Sequence, residues 1–307
     1  MNLALLAAAA SGVLAGTAIA VTRLAVAEVP PLTLAMLRYS LGCVCLLPFV
    51  LAHFRPVEPV EYASGAIKYR ASDLLAMAAL GIGQFGVLIA LLNWGLQRVE
   101  AAPAALVFGL FPLLTLCLGA ALGRERIGAR LLLGVLLSIA GVAVSLLPKL
   151  GAPQSGIWWG ELAVLGAACT GALCSVLYRP YLQRYPTLPV SAYAMLASVL
   201  FLALAALTEA WPQRLPGLSG RAWAAIAFVG LSSAVGYYWW LYALKHESPT
   251  RVTVFLSLNP VAAALMGWAV LGEALSANLL AAMALIAAGL WLATRAASKG
   301  TGIIGEP

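Results

Sequence analysis

Long apolar stretches, each broken by a short cluster of proline, glycine and charge, repeat along the whole chain. Within each stretch the apolar residues are continuous and do not alternate with polar ones. That excludes the two-residue period of a transmembrane β-barrel and predicts helices, which satisfy their own backbone hydrogen bonds in a bilayer. Ten stretches approach the roughly 20 residues that one crossing needs. They cover about 3–22, 31–51, 74–97, 101–121, 130–147, 157–178, 188–208, 222–244, 250–271 and 278–295. The first has small residues around Ala18-x-Ala20, as a cleaved leader would. It has no early Lys or Arg and its pattern recurs later, so it is read as the first span.

The recurrence is an internal repeat. At an offset of 148, Pro112 falls on Pro260, Gly119 on Gly267, Glu125 on Glu273 and Gly141 on Gly289. At an offset of 159, Pro30 falls on Pro189, Ala35-Met36-Leu37 on Ala194-Met195-Leu196, and Gly12 on Gly171. The difference of 11 is a longer loop between spans 2 and 3, about His53 to Ser72. Five spans per copy is an odd number, so the second copy enters the membrane from the opposite side. The expected fold is therefore an all-α polytopic membrane protein of ten transmembrane helices, arranged as two inverted five-helix repeats. The first repeat occupies residues 1–150, the second 151–296, and a tail 297–307 follows.

Composition agrees. The 307 residues are 63% hydrophobic and 9% charged, against roughly 45–50% and 25% for soluble domains. A soluble fold, a disordered chain and a nucleic-acid binder are excluded, the last despite a net charge of +7, because 29 charges are too few for a basic face. Sorted by loop parity, 12 of the 18 cations fall on one side. Five (Arg23, Arg98, Lys149, Arg214, Arg221) fall on the other, and Arg38 lies inside a span. The excess marks the cytoplasmic side and predicts a multi-pass protein of a bacterial-type plasma (inner) membrane with both termini cytoplasmic.

The layout resembles the ten-helix drug/metabolite transporter superfamily, in particular its EamA-type members. The residues that carry the resemblance are Arg38-Tyr39 in span 2, Gly123-Arg124-Glu125-Arg126 followed by Gly134 and Gly141, and their counterpart Leu271-Gly272-Glu273 followed by Gly289. It covers nearly all of residues 3–295. It implies a secondary transporter of small molecules; among the branches, aromatic amino acid exporters of the YddG-like type match best in length and layout.

Polar groups at depth are costly and mark candidate sites. Arg38 suits a substrate carboxylate, or anchors helix-end carbonyls. Gln84 near the centre of span 3, with Asn93 and Trp94 further along, offers amides to a zwitterion, or glue between helices. Tyr237 and Tyr238 open an aromatic run that continues through Trp239, Trp240 and Tyr242. They offer a cavity wall for apolar or aromatic side chains; Trp240 and Tyr242, like Trp158 and Trp159, fit an interfacial belt. Pro112 and Pro260 lie mid-span, freeing the carbonyls of Phe108 and Leu256, and Asn259 adds an amide at that depth. Equivalent positions in the repeat make the two prolines candidate hinges, the alternative being static kinks. Gly12-x-x-x-Gly16 is read as close helix packing.

Absences narrow the function. No Gly-Lys pair exists, hence no phosphate loop and no ATPase. His53 and His246 are the only histidines, and the five cysteines have no ligand spacing, so neither metal nor other cofactor is expected. Asp73 is the only aspartate, and no carboxylate lies at the bilayer centre. The expectation is a facilitator, with proton coupling through Glu161 as the weaker alternative. A membrane-embedded lipid-modifying enzyme would want acids or histidines at the membrane surface and is disfavoured. The leading reading is an exporter of small metabolites, chiefly amino acids, by alternating access around a central cavity; lipophilic drugs or other metabolites are the alternative. A small-molecule substrate and the lipid bilayer are the expected partners, with no nucleic acid and a monomeric state.

Overall fold

A computed structural model of the chain describes residues 3–53, 70–122, 129–150, 158–247 and 249–300. The predicted loop between spans 2 and 3 (mostly 54–69) and the Gly123-Arg124-Glu125-Arg126 motif lie outside the described residues. Among those described, every regular element is helical. In chain order the helical segments are α1 Leu3–Ala25, α2 Pro31–His53, α3 Ala71–Leu96, α4 Ala101–Ala121 and α5 Ala129–Leu150. There follow α6 Trp158–Arg184, α7 Thr187–Glu209, α8 Gly220–His246, α9 over residues 249–271 and α10 Ala277–Gly300. Seven segments are long and apolar enough to cross a membrane: α1–α4 and α6–α8. The apolar parts of the other three are shorter: Leu132–Val144, Leu258–Leu271 and Ala277–Gly289.

Local chemistry explains the ends. Pro31 and Pro249 open their helices, where a missing N–H costs nothing. Ser219 caps α8, its Oγ accepting from Ala222 N at 3.1 Å. α6 continues six residues past the predicted end, with Pro180 inside it. Large apolar side chains are exposed along the flanks, among them Leu132, Leu133, Leu136 and Ile139 on α5 and Leu200 and Leu204 on α7. In a bilayer such a surface meets lipid at no cost.

The helices pack in a regular scheme. α1 lies against α8 and α9, and α6 lies against α3 and α4. α2 meets α7 and α8, α3 meets α7, α4 meets α9, and α5 meets α10. Exchanging each of the first five segments with the segment five places later leaves this scheme unchanged.

Glycines make the closest approaches. A Cβ on Gly16 would lie 2.6 Å from the Asn259 carbonyl oxygen and 2.7 Å from Ala262 Cβ, so only glycine lets α1 seat on α9. On Gly141 it would meet the Ala282 carbonyl at 2.9 Å and Ile286 Cγ1 at 2.7 Å; on Gly289 it would meet the Gly134 carbonyl at 2.6 Å and the Ser138 side chain. Residues 134, 138 and 141 fall on 282, 286 and 289 at the offset of 148, so the two contacts are equivalents of each other.

Carboxylates cap helices at the end of the bundle that holds Ala25, Pro31, Leu96 and Ala101, here the distal end. Glu209 accepts from Leu32 N at 3.0 Å, Thr33 N at 2.7 Å and Thr33 Oγ1 at 2.8 Å. Glu28 accepts from the Ser219 hydroxyl at 3.0 Å, and Glu273 from Ala101 N at 3.1 Å. Three helix N-termini, those of α2, α4 and α8, thus meet carboxylates from other segments, as the helix dipole favours. At the opposite, proximal end Asp73 accepts from Arg184 Nη1 at 2.7 Å and from the Tyr185 hydroxyl at 2.6 Å.

Candidate functional site

A central cavity lies between the α1–α8–α9 group and the α3–α4–α6 group, with about 650 Å³ of atom-free space, its mouth included. Its polar walls come from Ser11, Arg38, Gln84, Ser232, Ser233 and Tyr237; the rest is apolar or aromatic, including Phe108, Phe111 and Trp240. Of the residues singled out from sequence, the structure brings Arg38, Gln84 and Tyr237 together here.

Each of the three is positioned by an identifiable device. Arg38 sits on α2, 6% exposed, and donates through Nε to Ser233 Oγ on α8. Its guanidinium carbon lies 5.6 Å from the Tyr39 ring centroid. Tyr39 and Phe85, both fully buried, and half-buried Tyr237 form an aromatic cluster beside it. Tyr237 meets Phe85 edge-on at 4.5 Å between centroids, and the Tyr39 hydroxyl donates to that of Tyr237 at 2.8 Å. Gln84 falls in a six-residue π-helical turn, Ile82–Val87, which widens α3 at mid-height. Such insertions re-aim side chains and recur at functional sites. Gln84 is 4% exposed and its Oε1 is buried with no partner.

Asn93, Trp94, Tyr238 and Asn259 do not line the cavity. Asn93 is fully buried and donates from Nδ2 to the Pro31 carbonyl at 3.0 Å, fastening α3 to α2. Trp94 lies beneath the Arg98 guanidinium, 3.6 Å from it, at the distal end of α3. Tyr238 faces Tyr242 one turn along α8, with centroids 6.4 Å apart. Asn259 is fully buried against Gly12 and Gly16, and both of its side-chain polar atoms lack partners.

The prolines mark interruptions. α4 breaks at Gly109 and Leu110, and Pro112 opens the second half, Phe111–Ala121. In α9 a 3-10 turn, Phe255–Ser257, precedes the half that carries Pro260, Leu258–Met266. Pro112 therefore starts a helix at a break; it does not kink a continuous one. The two interruptions touch: a Cβ on Gly109 would lie 3.6 Å from Pro260 Cγ. Phe108 and Leu256, whose carbonyls the prolines leave without their usual donors, both line the cavity.

Sequence reasoning missed Ser11, Leu14, Ser233, Phe111 and Trp240, which line the cavity, and Phe85 behind it. The repeat offset carries the signal that would have found part of this set. Gln84, Leu88, Ile89, Leu92 and Phe108 line one wall, and at the offset of 148 they fall on Ser232, Gly236, Tyr237, Trp240 and Leu256, which line the other. Trp240, expected in an interfacial belt, is 5% exposed in this wall; Trp158 and Trp159 are 45% and 64% exposed, as a belt requires.

Among the described residues no group of three or more His, Cys, Asp or Glu could hold a metal ion. The cavity lining contains one cation and no carboxylate. A second, more polar pocket lies at the distal end, lined by Arg23, Glu28, Glu100, Arg221 and Glu273 among others.

Comparison with known proteins agrees with this architecture. The model of the EamA-like transporter family matches residues 2–147 and again 158–295. A probable terminal-alkyne amino-acid exporter of Streptantibioticus cattleyicolor is 31% identical over 232 residues, 75% of this chain and 76% of the relative. The uncharacterized inner membrane transporter YedA of Escherichia coli (strain K12) is 30% identical over 269 residues, 85% of this chain and 80% of the relative. One solved structure superposes with a TM-score of 0.68 at 24% identity, covering 96% of this chain and 98% of its own, which shows a shared fold.

Proposed function

The chain belongs to the EamA-like transporter family, a multi-pass membrane transporter and not an enzyme, and from that premise we propose that it exports amino acids with apolar or aromatic side chains through the central cavity. The observation that carries this reading is the cavity wall itself: a buried guanidinium beside an amide, hydroxyls and aromatic rings. Arg38 takes the substrate carboxylate. Gln84, Ser232 and the carbonyls of Phe108 and Leu256 supply neutral partners, and Tyr237 and Trp240 receive the side chain. The relative named as an amino-acid exporter supports this substrate class.

The mechanism is alternating access between two inverted five-helix repeats, residues 1–150 and 151–296. Support comes from the double match of the family model and from a packing scheme that survives exchange of the halves. The three shorter apolar segments join the seven long ones to make ten spans. In this reading the α1–α8–α9 and α3–α4–α6 groups move against each other, with Pro112 and Pro260 as hinges where the interrupted α4 and α9 touch. Both termini face the cytoplasm and the protein works as a monomer in the inner membrane. Transport is downhill, because the cavity lining holds no carboxylate to carry a proton; Glu161, in the first turn of α6, does not reach it.

The test is uptake by purified protein in proteoliposomes across a panel of labelled amino acids and lipophilic dyes. Saturable flux of phenylalanine or a similar amino acid supports the reading. Flux of dyes alone would replace it with a drug exporter, which the apolar lining would also accommodate.

A further inference from the structure

The charge balance of the cavity constrains its ligand more tightly than its shape does. Arg38 is 6% exposed, and among the described residues its guanidinium donates only through Nε, to the neutral Ser233 hydroxyl. No described carboxylate forms an ion pair with it, and none lines the cavity. Three acids of the distal end, Glu209, Glu28 and Glu273, cap helices instead. A guanidinium removed from water without an opposite charge is a standing electrostatic cost. A ligand that brings a carboxylate cancels it. A ligand that brings an ammonium meets only amide, hydroxyl and carbonyl oxygens, with a like charge close by.

We infer that the cavity recognises the carboxylate of its ligand and not the amino group, so that its substrate class is apolar monocarboxylates, with or without an α-amino group. Carboxylates that lack the amine bind within about tenfold of the corresponding amino acids, and amines that lack the carboxylate bind about 100-fold more weakly. The inference rests on the reading of this cavity as the substrate site. It extends the activity to aryl- and alkyl-substituted carboxylic acids that an amino-acid carrier with an ammonium pocket would reject.

The test uses the full chain in proteoliposomes and in nanodiscs. Labelled phenylalanine uptake is competed with 3-phenylpropionate, which keeps only the carboxylate, and with phenethylamine, which keeps only the amine. The expected result is inhibition by 3-phenylpropionate within about tenfold of the concentration at which unlabelled phenylalanine inhibits, and by phenethylamine only at concentrations about 100-fold higher, the factor that a hydrogen bond to a charged group commands. In nanodiscs, calorimetry reads 3-phenylpropionate binding directly. Arg38→Gln weakens it by about tenfold or more, and Arg38→Lys, which keeps the charge, loses less. Phenylalanine flux that phenethylamine inhibits as strongly as 3-phenylpropionate would overturn the inference and leave the transporter reading intact. Binding of 3-phenylpropionate without phenylalanine flux would do the reverse. Absence of binding by 3-phenylpropionate overturns the inference in either case.

Discussion

Glu273 offers a quantitative handle on the distal end of the bundle. It follows the α9 segment and accepts from Ala101 N, at the start of α4. It therefore joins the two helix groups that the proposed alternating access would separate. Arg23 makes a second such bridge, donating from Nη1 on α1 to the Leu96 carbonyl at the end of α3, at 2.9 Å. A hydrogen bond to a charged group contributes about 1.5–3 kcal/mol. The lower end applies here, because Glu273 is only half-buried and its second oxygen, Oε2, has no partner. About 1.5 kcal/mol is close to a tenfold change in an equilibrium between a distally closed and a distally open conformer. Glu273→Ala should thus raise the open population by about tenfold. Glu273→Gln keeps an acceptor and loses only the charge–dipole part, about 0.5 kcal/mol, or roughly twofold. The assay is a distance distribution between spin labels at Gln97 and Ala274, both exposed, in a background without the native cysteines. An unchanged distribution in Glu273→Ala, or a larger shift in Glu273→Gln than in Glu273→Ala, would refute a closing role for this contact.

Four further outcomes are expected. Pro112→Ala combined with Pro260→Ala should leave helix content and monodispersity intact and slow transport; unchanged rates would mean that the two breaks are static. Gly141→Ala and Gly289→Ala should each cost about 1–3 kcal/mol in a thermal unfolding series in detergent, because the added methyl meets backbone that cannot yield. Gly220→Ala, where the space is open, should cost nothing of this kind. Asn93→Ala should lower stability by about 1 kcal/mol through loss of its bond to the Pro31 carbonyl, with substrate affinity unchanged, since Asn93 stands outside the cavity. Flux in proteoliposomes should ignore an imposed pH gradient; strong acceleration would instead assign Glu161 a coupling role.

The helical segments were legible from apolar run length alone, because a bilayer-spanning helix shows its period nowhere but its length everywhere. α6 shows the limit of that signal: Arg179 and Pro180 end an apolar run but not a helix. The cavity was legible only in part. Arg38 stood out because a charge at depth is rare. Gln84 and Asn93 looked alike in sequence, two amides on one helix, yet one lies in a π-helical turn facing the cavity and the other on the face that meets α2. Their spacing of nine residues sets them on opposite faces of an ordinary helix, but which of the two faces meets the cavity follows from the packing of α3 and from its π-helical turn, and neither is written in the composition. Trp240 was misplaced for a related reason. An aromatic run near a span end fits a belt, but a residue four short of Leu244 still lies on the inner face of α8, where it is 5% exposed.

Symmetry accounts for the scaffold, and its failure accounts for the chemistry. Glycine contacts, helix breaks and the α3 and α8 walls repeat across the two halves. Arg38 does not. At the offset of 159 it falls on Ala197, and its neighbour Tyr39 falls on Ser198, neither of which lines the cavity. Two exchangeable halves need matched packing, or one conformer would be far more stable than the other. A substrate with one carboxylate needs only one guanidinium, and a second at the equivalent depth would double the cost of burying charge without a second group to bind. The scarcity of charge and the asymmetry of its placement thus follow from one requirement. In the proposed mechanism the repeat supplies two nearly equivalent conformers, and the one cation in the cavity lining, Arg38, gives the space between them its preference for what it carries.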